Sequence, residues 1–385
     1  MKLFYIFFHL IFITANTFAQ TNLSYHYKTP VQFKDGLKTA SLSEVGIDST
    51  IITELTDSIV SGYFPNIHSL LIVRNNKLVY EEYWPGKDEF WGEDLGITIH
   101  GKDSLHDIRS ISKSVTSACI GIAIAKGEIK SVDEKVFNFF PEYASFSLGD
   151  KSTITIKHLL TMSSGLEWNE NIPYTDPANS EIKMDNSPDP IQYVLSQPLT
   201  VKPGTVWNYN GGGTEVLAAI IKKTTGQDVA QFAKENLFKP LGIKTFYWSR
   251  FPANEKWPSM PAAASGLRLR SRDLLKFGLL YSQEGRWSNK QIIRSDWVKE
   301  SFSSQINRGK PSLEYGYQFW LQAGTLKGNL LRIVGAVGNG DQQIYFDKTH
   351  NLVIVITAGN YNKRGIKNNS WSMLWDYILP ALIKE

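Results

Sequence analysis

Among its 385 residues the chain has a single cysteine, Cys119, and that rules out an internal disulfide and any cysteine-based metal cluster. Cys119 lies within an apolar run, so it reads as a core filler rather than a reactive thiol. Charge of one sign is equally scarce. A formal net charge of +4 is small for this length, and the basic residues are interspersed with acids, so no nucleic-acid partner is indicated. Of the seven histidines one lies near the N-terminus and the rest are scattered. Neither GxSxG nor HExxH occurs, so a nucleophile elbow and a zincin helix are both excluded. His106, four residues before Ser110, reads as a loop residue rather than a base.

Long hydrophobic runs are missing except at the start. Residues 1–19 carry one lysine, the uncharged run LFYIFFHLIFIT and a small residue, Ala19, where a signal peptidase would cut. That apolar core is too short for a permanent span. The expectation is export to the periplasm or medium, with no stable membrane span after cleavage. About 366 residues then remain, enough for one catalytic unit of two lobes.

Aromatics are plentiful, with 11 Trp and 17 Tyr, most of them expected in the core. Residues 20–40 read as an extended lead-in, and residues 48–60 as an amphipathic helix capped by Asp48 or Ser49. In HSLLIVRNNKLVYEEYW two β-rich runs flank Asn75 and Asn76, which tolerate the positive φ of a tight hairpin. Residues 85–106 read as a surface loop. Short helices are expected at 154–162 and 191–195, with a long polar loop at 167–190 between them. Two more fall at 218–224 and 229–237, and another starts near Ser271 with Asp273 in its first turn. Residues 315–322, 329–337, 342–347 and 352–357 are strand-like, and 371–383 is a closing helix. A domain over 41–385 follows, with a sheet lobe from about 41–125 and 262–385 and a helical lobe from about 126–261.

The stretch DIRSISKSVTSACIGIAIAKG, residues 107–127, sets Ser110 and Lys113 three apart at the start of a core helix, with Val115, Ala118, Cys119, Ile122 and Ala125 at helical spacing. That is a hydroxyl with an amine beside it. The amine can take the hydroxyl proton only if burial or neighbouring cations lower its pKa, and the apolar run would supply burial. The helix N-terminus adds unpaired N–H groups that favour an oxyanion. A second SxxK, Ser180 to Lys183, sits in the Asn, Asp and Pro-rich loop without an apolar helix behind it. In PGTVWNYNGGGTEVL, Tyr209 precedes a helix in a glycine-rich turn where a phenol could relay a proton; taken alone it reads as a structural residue. In IVGAVGNGDQQIYF, Gly338 at a strand edge could leave the Asn339 N–H opposite that of Ser110; taken alone it reads as a plain turn.

Together HSLLIVRNNKLVYEEYW, DIRSISKSVTS, ITIKHLLTMSSGLEW, PGTVWNYNGGG, SGLRLRSRDLLKFGLLY, YGYQFWL and GAVGNGDQQIYF run in order from about residue 43 to the C-terminus. The chain resembles the serine β-lactamase and penicillin-binding-protein superfamily, most of all the class C β-lactamase-related branch of esterases, D-aminopeptidases and 6-aminohexanoate-dimer hydrolase. The resemblance implies an α/β (α+β) fold: a mainly antiparallel sheet flanked by helices beside an all-helical lobe. It implies Ser110 as acylated nucleophile, Lys113 as base, Tyr209 as relay and the N–H groups of Ser110 and Asn339 as oxyanion hole, with no cofactor and no metal. It further puts Trp168, Asn210, Gly211, Ala336 and Gly338 at the substrate.

Two departures matter. Gly211 fills the third place of the Tyr-x-Asn pattern, and Ala336 stands where β-lactamases and DD-peptidases carry a Lys or His for the substrate carboxylate. Losing that cation costs a charge-assisted bond of about 1.5–3 kcal/mol, compensated only if Arg332 faces the cleft. The expected substrate is therefore a small ester or linear amide. A penicillin-recognising DD-peptidase or weak β-lactamase is the alternative enzyme, and a non-catalytic binding protein on the same fold is the alternative class.

Overall fold

The computed structural model describes residues 25–252, 257 and 259–383; the signal-peptide expectation for residues 1–19 lies outside them. A nine-stranded sheet organises the molecule. Its strands in chain order are β1 (Lys38–Thr39), β2 (Ile67–Arg74), β3 (Lys77–Tyr83), β4 (Ile306–Lys310), β5 (Leu313–Tyr315), β6 (Trp320–Leu326), β7 (Asn329–Gly338), β8 (Gln342–Asp347) and β9 (Leu352–Ala358). In space they run β1-β3-β2-β9-β8-β7-β6-β5-β4. Every pair is antiparallel except β1 with β3. The two ends of the chain meet at β2 and β9, where Ile72 faces Ile354.

β2 and β9 are buried along their whole length, because both faces of the sheet are covered. Leu71, Val73, Val353 and Val355 pack with helices α2 (Ile111–Ala125) and α5 (Ser271–Ser282). The alternate residues Leu70, Ile72, Ile354 and Ile356 pack with α1 (Ser49–Val60) and the C-terminal helical segments Ser370–Ser372 and Met373–Ile378. Asp48 caps α1 by accepting the Thr50 N–H. Asn75 and Asn76 turn the β2–β3 hairpin at φ 52° and 61°. Of the lead-in, Tyr25 and Tyr27 bond to Glu82 and the Val79 carbonyl before the chain pairs as β1.

Between residues 136 and 238 every named element is helical, including α3 (Ser180–Asp185) and α4 (Gly211–Thr225). Three expectations are corrected. The segment read as a surface loop holds an antiparallel hairpin, Gly86–Phe90 with Glu93–Thr98, and a short strand, Leu105–Asp107. The strand expected over 315–322 is broken by a turn at Gly316–Phe319, where Gln318 takes φ 65° so that its N–H and side chain reach the Leu160 and Leu159 carbonyls. The polar loop at 167–190 contains α3.

Candidate active site

The short strand Leu105–Asp107 delivers the chain to Ser110 through Arg109 at φ 47°, a left-handed conformation that costs a non-glycine residue about 1–3 kcal/mol. The Arg109 guanidinium is held by Glu89 at 3.0 Å and Asp107 at 3.4 Å, and lies over the Tyr361 ring. This turn sets Ser110 at the N-cap of α2 with its side chain making no capping bond.

Helix α2 is buried on every side through Ala123, not only on its apolar stripe. Its polar residues are accommodated because each hydroxyl donates to a carbonyl of a neighbouring segment: Ser112 to Arg109, Ser114 to Gln318, Thr116 to Ala263 and Ser117 to Tyr317. Cys119 is buried there too, a core filler.

The Lys113 ammonium donates to Ser110 Oγ at 3.1 Å and to the Ala264 carbonyl at 3.0 Å. The Tyr209 ring stands beside it, with Nζ 5.1 Å from the ring centroid and the phenol interacting with both Ser110 and Lys113. Ser110, Lys113 and Tyr209 are thus brought together.

The electrostatics differ from the sequence expectation. Burial lowers the Lys113 pKa, but Tyr209, Glu181 and Glu170 raise it by more, and the net is well above the ordinary range. Glu181 Oε2 lies 3.8 Å from Nζ. Burial also acts against ionising Glu170, but Lys113, Glu181, the Gly211 N–H and the Trp168 indole outweigh it, leaving Glu170 below the usual carboxylate range. Glu181 is pushed well above that range by burial and by Glu170. Two adjacent buried carboxyls therefore share one proton behind the lysine, with Glu170 ionised. Burial likewise raises the Tyr209 phenol, so it is neutral at pH 7.

Neither glutamate was singled out by the sequence. Both lie in the segment read as a polar loop; Glu181 follows Ser180 of the discounted SxxK, and α3 carries it under the site. Glu215, from α4, accepts the N–H groups of Ala263 and Ala264 and so fixes the carbonyl that Lys113 uses.

Ser110 opens onto a cleft of about 570 Å³ whose wall includes Tyr174, Glu181, Asp185, Arg250, Phe251 and Asn339. Among the described residues neither the Ser110 nor the Asn339 N–H donates to another protein group. The Asn339 side chain is tied to Asn362 by two hydrogen bonds. Gly338 packs against the chain before Ser110, where a Cβ would meet the Ile108 carbonyl at 2.4 Å.

The other expected substrate contacts have different roles. Trp168 is buried against Gly212 and donates to Glu170 at 2.7 Å. Asn210 caps α4 by accepting the Gly213 N–H. Gly211 donates to Glu170, and a Cβ there would meet Glu181 at 2.3 Å, so this glycine makes room for the acids. Ala336 points into the core. Arg332 is exposed, pairs with Glu314 and does not line the cleft.

Residues 66–370 match the family described as Beta-lactamase. An uncharacterized protein of Alkalihalophilus pseudofirmus is 29% identical over 262 residues, 63% of this chain and 68% of that one. Esterase EstB of Burkholderia gladioli is 26% identical over 185 residues, 45% of each, so the match spans less than half of the esterase. A Bacillus anthracis structure described as a "putative 6-aminohexanoate-dimer hydrolase" superposes with a TM-score of 0.66 at 21% identity, covering 92% of this chain and 87% of that one, a likeness of fold. The matched family, which spans the sheet from β2 onward, the Ser110 turn and the strand ending at Gly338, makes this chain a member of the Beta-lactamase family of serine hydrolases.

Proposed function

We propose that the chain hydrolyses a small ester or linear amide through an acyl-enzyme on Ser110, in the manner of the esterases and 6-aminohexanoate-dimer hydrolases it resembles. The observation that carries this reading is the 3.1 Å contact between Ser110 Oγ and the buried Lys113 Nζ at the mouth of a cleft.

Ser110 Oγ attacks the carbonyl carbon, and the developing oxyanion takes the Ser110 and Asn339 N–H groups. The Ser110 proton goes to Lys113, which must first be neutral. Tyr209, between Ser110 and Lys113, returns a proton to the leaving group, and water then cleaves the acyl-enzyme.

Cleft charge supports a substrate without a carboxylate. Both arginines of the wall are engaged, Arg109 with Glu89 and Asp107 and Arg250 with Asp228 at 2.7 Å, which leaves neither to hold a substrate carboxylate. The test is a panel of p-nitrophenyl esters, short linear amides and nitrocefin. Turnover of esters or amides with little of nitrocefin is expected; turnover of nitrocefin alone, or stable labelling of Ser110 by a fluorescent penicillin, overturns the substrate class. No turnover by any, with no covalent adduct, favours a binding protein. Export is part of the proposal, checked by the N-terminal sequence of the protein recovered from the producing cell's periplasm or medium.

A further inference from the structure

A second buried polar nest adjoins Asp107: His68 on β2, Asp88 on the Gly86–Phe90 strand, His100 just after its hairpin, and His106 four residues before Ser110. Each is at least nine-tenths buried, and their donor atoms all lie within 4.8 Å of one another. We propose that these four side chains bind one divalent transition metal, with Zn(II) the best match to three imidazoles and a carboxylate in a closed site.

Hydrogen-bond bookkeeping points to a cation. His106 Nδ1 is 3.0 Å from the Asp107 carbonyl, which can only accept, so Nδ1 carries the proton and Nε2 a lone pair. His68 Nε2 faces Asn66 Oδ1 at 3.4 Å. That amide is oriented by Lys87, whose N–H it accepts at Oδ1 and whose carbonyl it reaches through Nδ2. His68 Nε2 is therefore the protonated nitrogen, and Nδ1 carries the lone pair. The two lone-pair nitrogens, His68 Nδ1 and His106 Nε2, then face each other at 2.8 Å. Either one imidazole turns its proton inward and gives up its outward bond, or a cation sits between them.

The remaining groups favour the cation. Asp88 lies 3.6 Å from His106 Nε2 and 4.0 Å from His100 Nε2 and brings a negative charge. His100 Nε2 is buried without a hydrogen-bond partner. The three separations, 2.8, 3.6 and 4.0 Å, straddle the roughly 3.3 Å edge of a tetrahedron with metal–nitrogen bonds of about 2.0 Å. The outward partners hold the ligands in place, as carbonyl and amide groups do behind metal-bound histidines: the Asp107 carbonyl on His106, Asn66 on His68, and the Tyr361 hydroxyl on Asp88 at 2.9 Å. Closed on four protein ligands, the metal would be structural, tying β2 and the hairpin to the strand that leads into the Ser110 turn. The proposal is independent of the substrate reading.

The full chain, stripped with a chelator, is titrated with Zn(II) by calorimetry and with Co(II) by visible absorption. Expected are one equivalent per chain, the intense absorption of four-coordinate Co(II), and a thermal transition raised by Zn(II). His100→Ala should lose the Co(II) absorption and the Zn(II)-dependent rise, with its far-ultraviolet circular dichroism unchanged. Should that variant not fold, X-ray absorption of the wild-type Zn(II) form decides, with a mainly imidazole shell expected. No saturable binding by wild type, equal binding by a folded His100→Ala, or a shell without imidazole overturns the proposal.

Discussion

Two buried polar nests flank the turn that carries Ser110, and they are satisfied in opposite ways. Around Lys113 the chain brings its own counter-charges: one ionised glutamate, one protonated glutamate, a phenol and a carbonyl fix the ammonium from every side. Around His68 and His106 two acceptors confront each other, and a third imidazole nitrogen has no partner. The first nest is complete, its charges balanced by groups of the chain itself. The second lacks one positive charge, which suits a ligand. A buried polar group is costly unless paired, so a nest without internal balance indicates what is to be added.

The largest expected effect breaks the first nest at its centre. Ser110→Ala should lower kcat against the best ester of the panel by on the order of 10⁴ or more, while leaving the thermal transition unchanged. Removing the ionised carboxyl with Glu170→Gln leaves Lys113 short of its counter-charge. A partner removed from a buried ion pair costs about 3–5 kcal/mol, to be read from urea unfolding, and Lys113 should titrate at lower pH in the pH–rate profile. An unchanged stability would mean that the lysine is not held by these acids.

Gly211→Ala tests the room made for the same pair: its Cβ would stand 2.3 Å from Glu181 Oε2 and 3.1 Å from Glu170 Oε2, and overpacking of this kind costs about 1–3 kcal/mol, seen in the same unfolding curves.

The smallest effect is a pH dependence. Asp185, in the cleft wall, is pushed up to about 7 by burial and by Glu170, with Lys113 opposing. A carboxyl raised above its unfolded value stabilises the fold fully below the unfolded pKa and loses that contribution as pH rises through the folded one. Between pH 5 and 8 the melting temperature of the wild type, measured relative to that of Asp185→Asn, should therefore fall. Glu215, raised to about 8 by burial against two backbone N–H bonds, adds a slope of the same sign, and histidines such as His158, lowered by burial, add one of the opposite sign.

What the sequence disclosed was local. The turn at Asn75 and Asn76, the spacing of Ser110 and Lys113 and the β-rich runs apart from that at 315–322 are all set within a few residues and appear in the structure where expected. What it concealed was built from a distance. Glu170 and Glu181 reach Lys113 from a segment whose Asn, Asp and Pro content reads as solvated loop, and α3 is too short to announce itself by period. The 86–98 hairpin escaped notice because Leu95 and Ile97 face solvent and give no alternation against a core. Tyr209, Glu181 and Glu170 reversed the expected direction of the Lys113 shift, because together they outweigh desolvation. One signal was present and unused: His68 interrupts the apolar run of β2, and a histidine inside such a strand has to find partners.

The central claim, a nucleophilic hydroxyl activated by the buried amine beside it, is tested most directly by intact-protein and peptide mass spectrometry after a fluorophosphonate probe. The account predicts one adduct per chain on the peptide containing Ser110, absent in Ser110→Ala and slowed at least a hundredfold in Lys113→Met. A chain left unmodified, or modified at another residue to the same extent in Ser110→Ala, would contradict it.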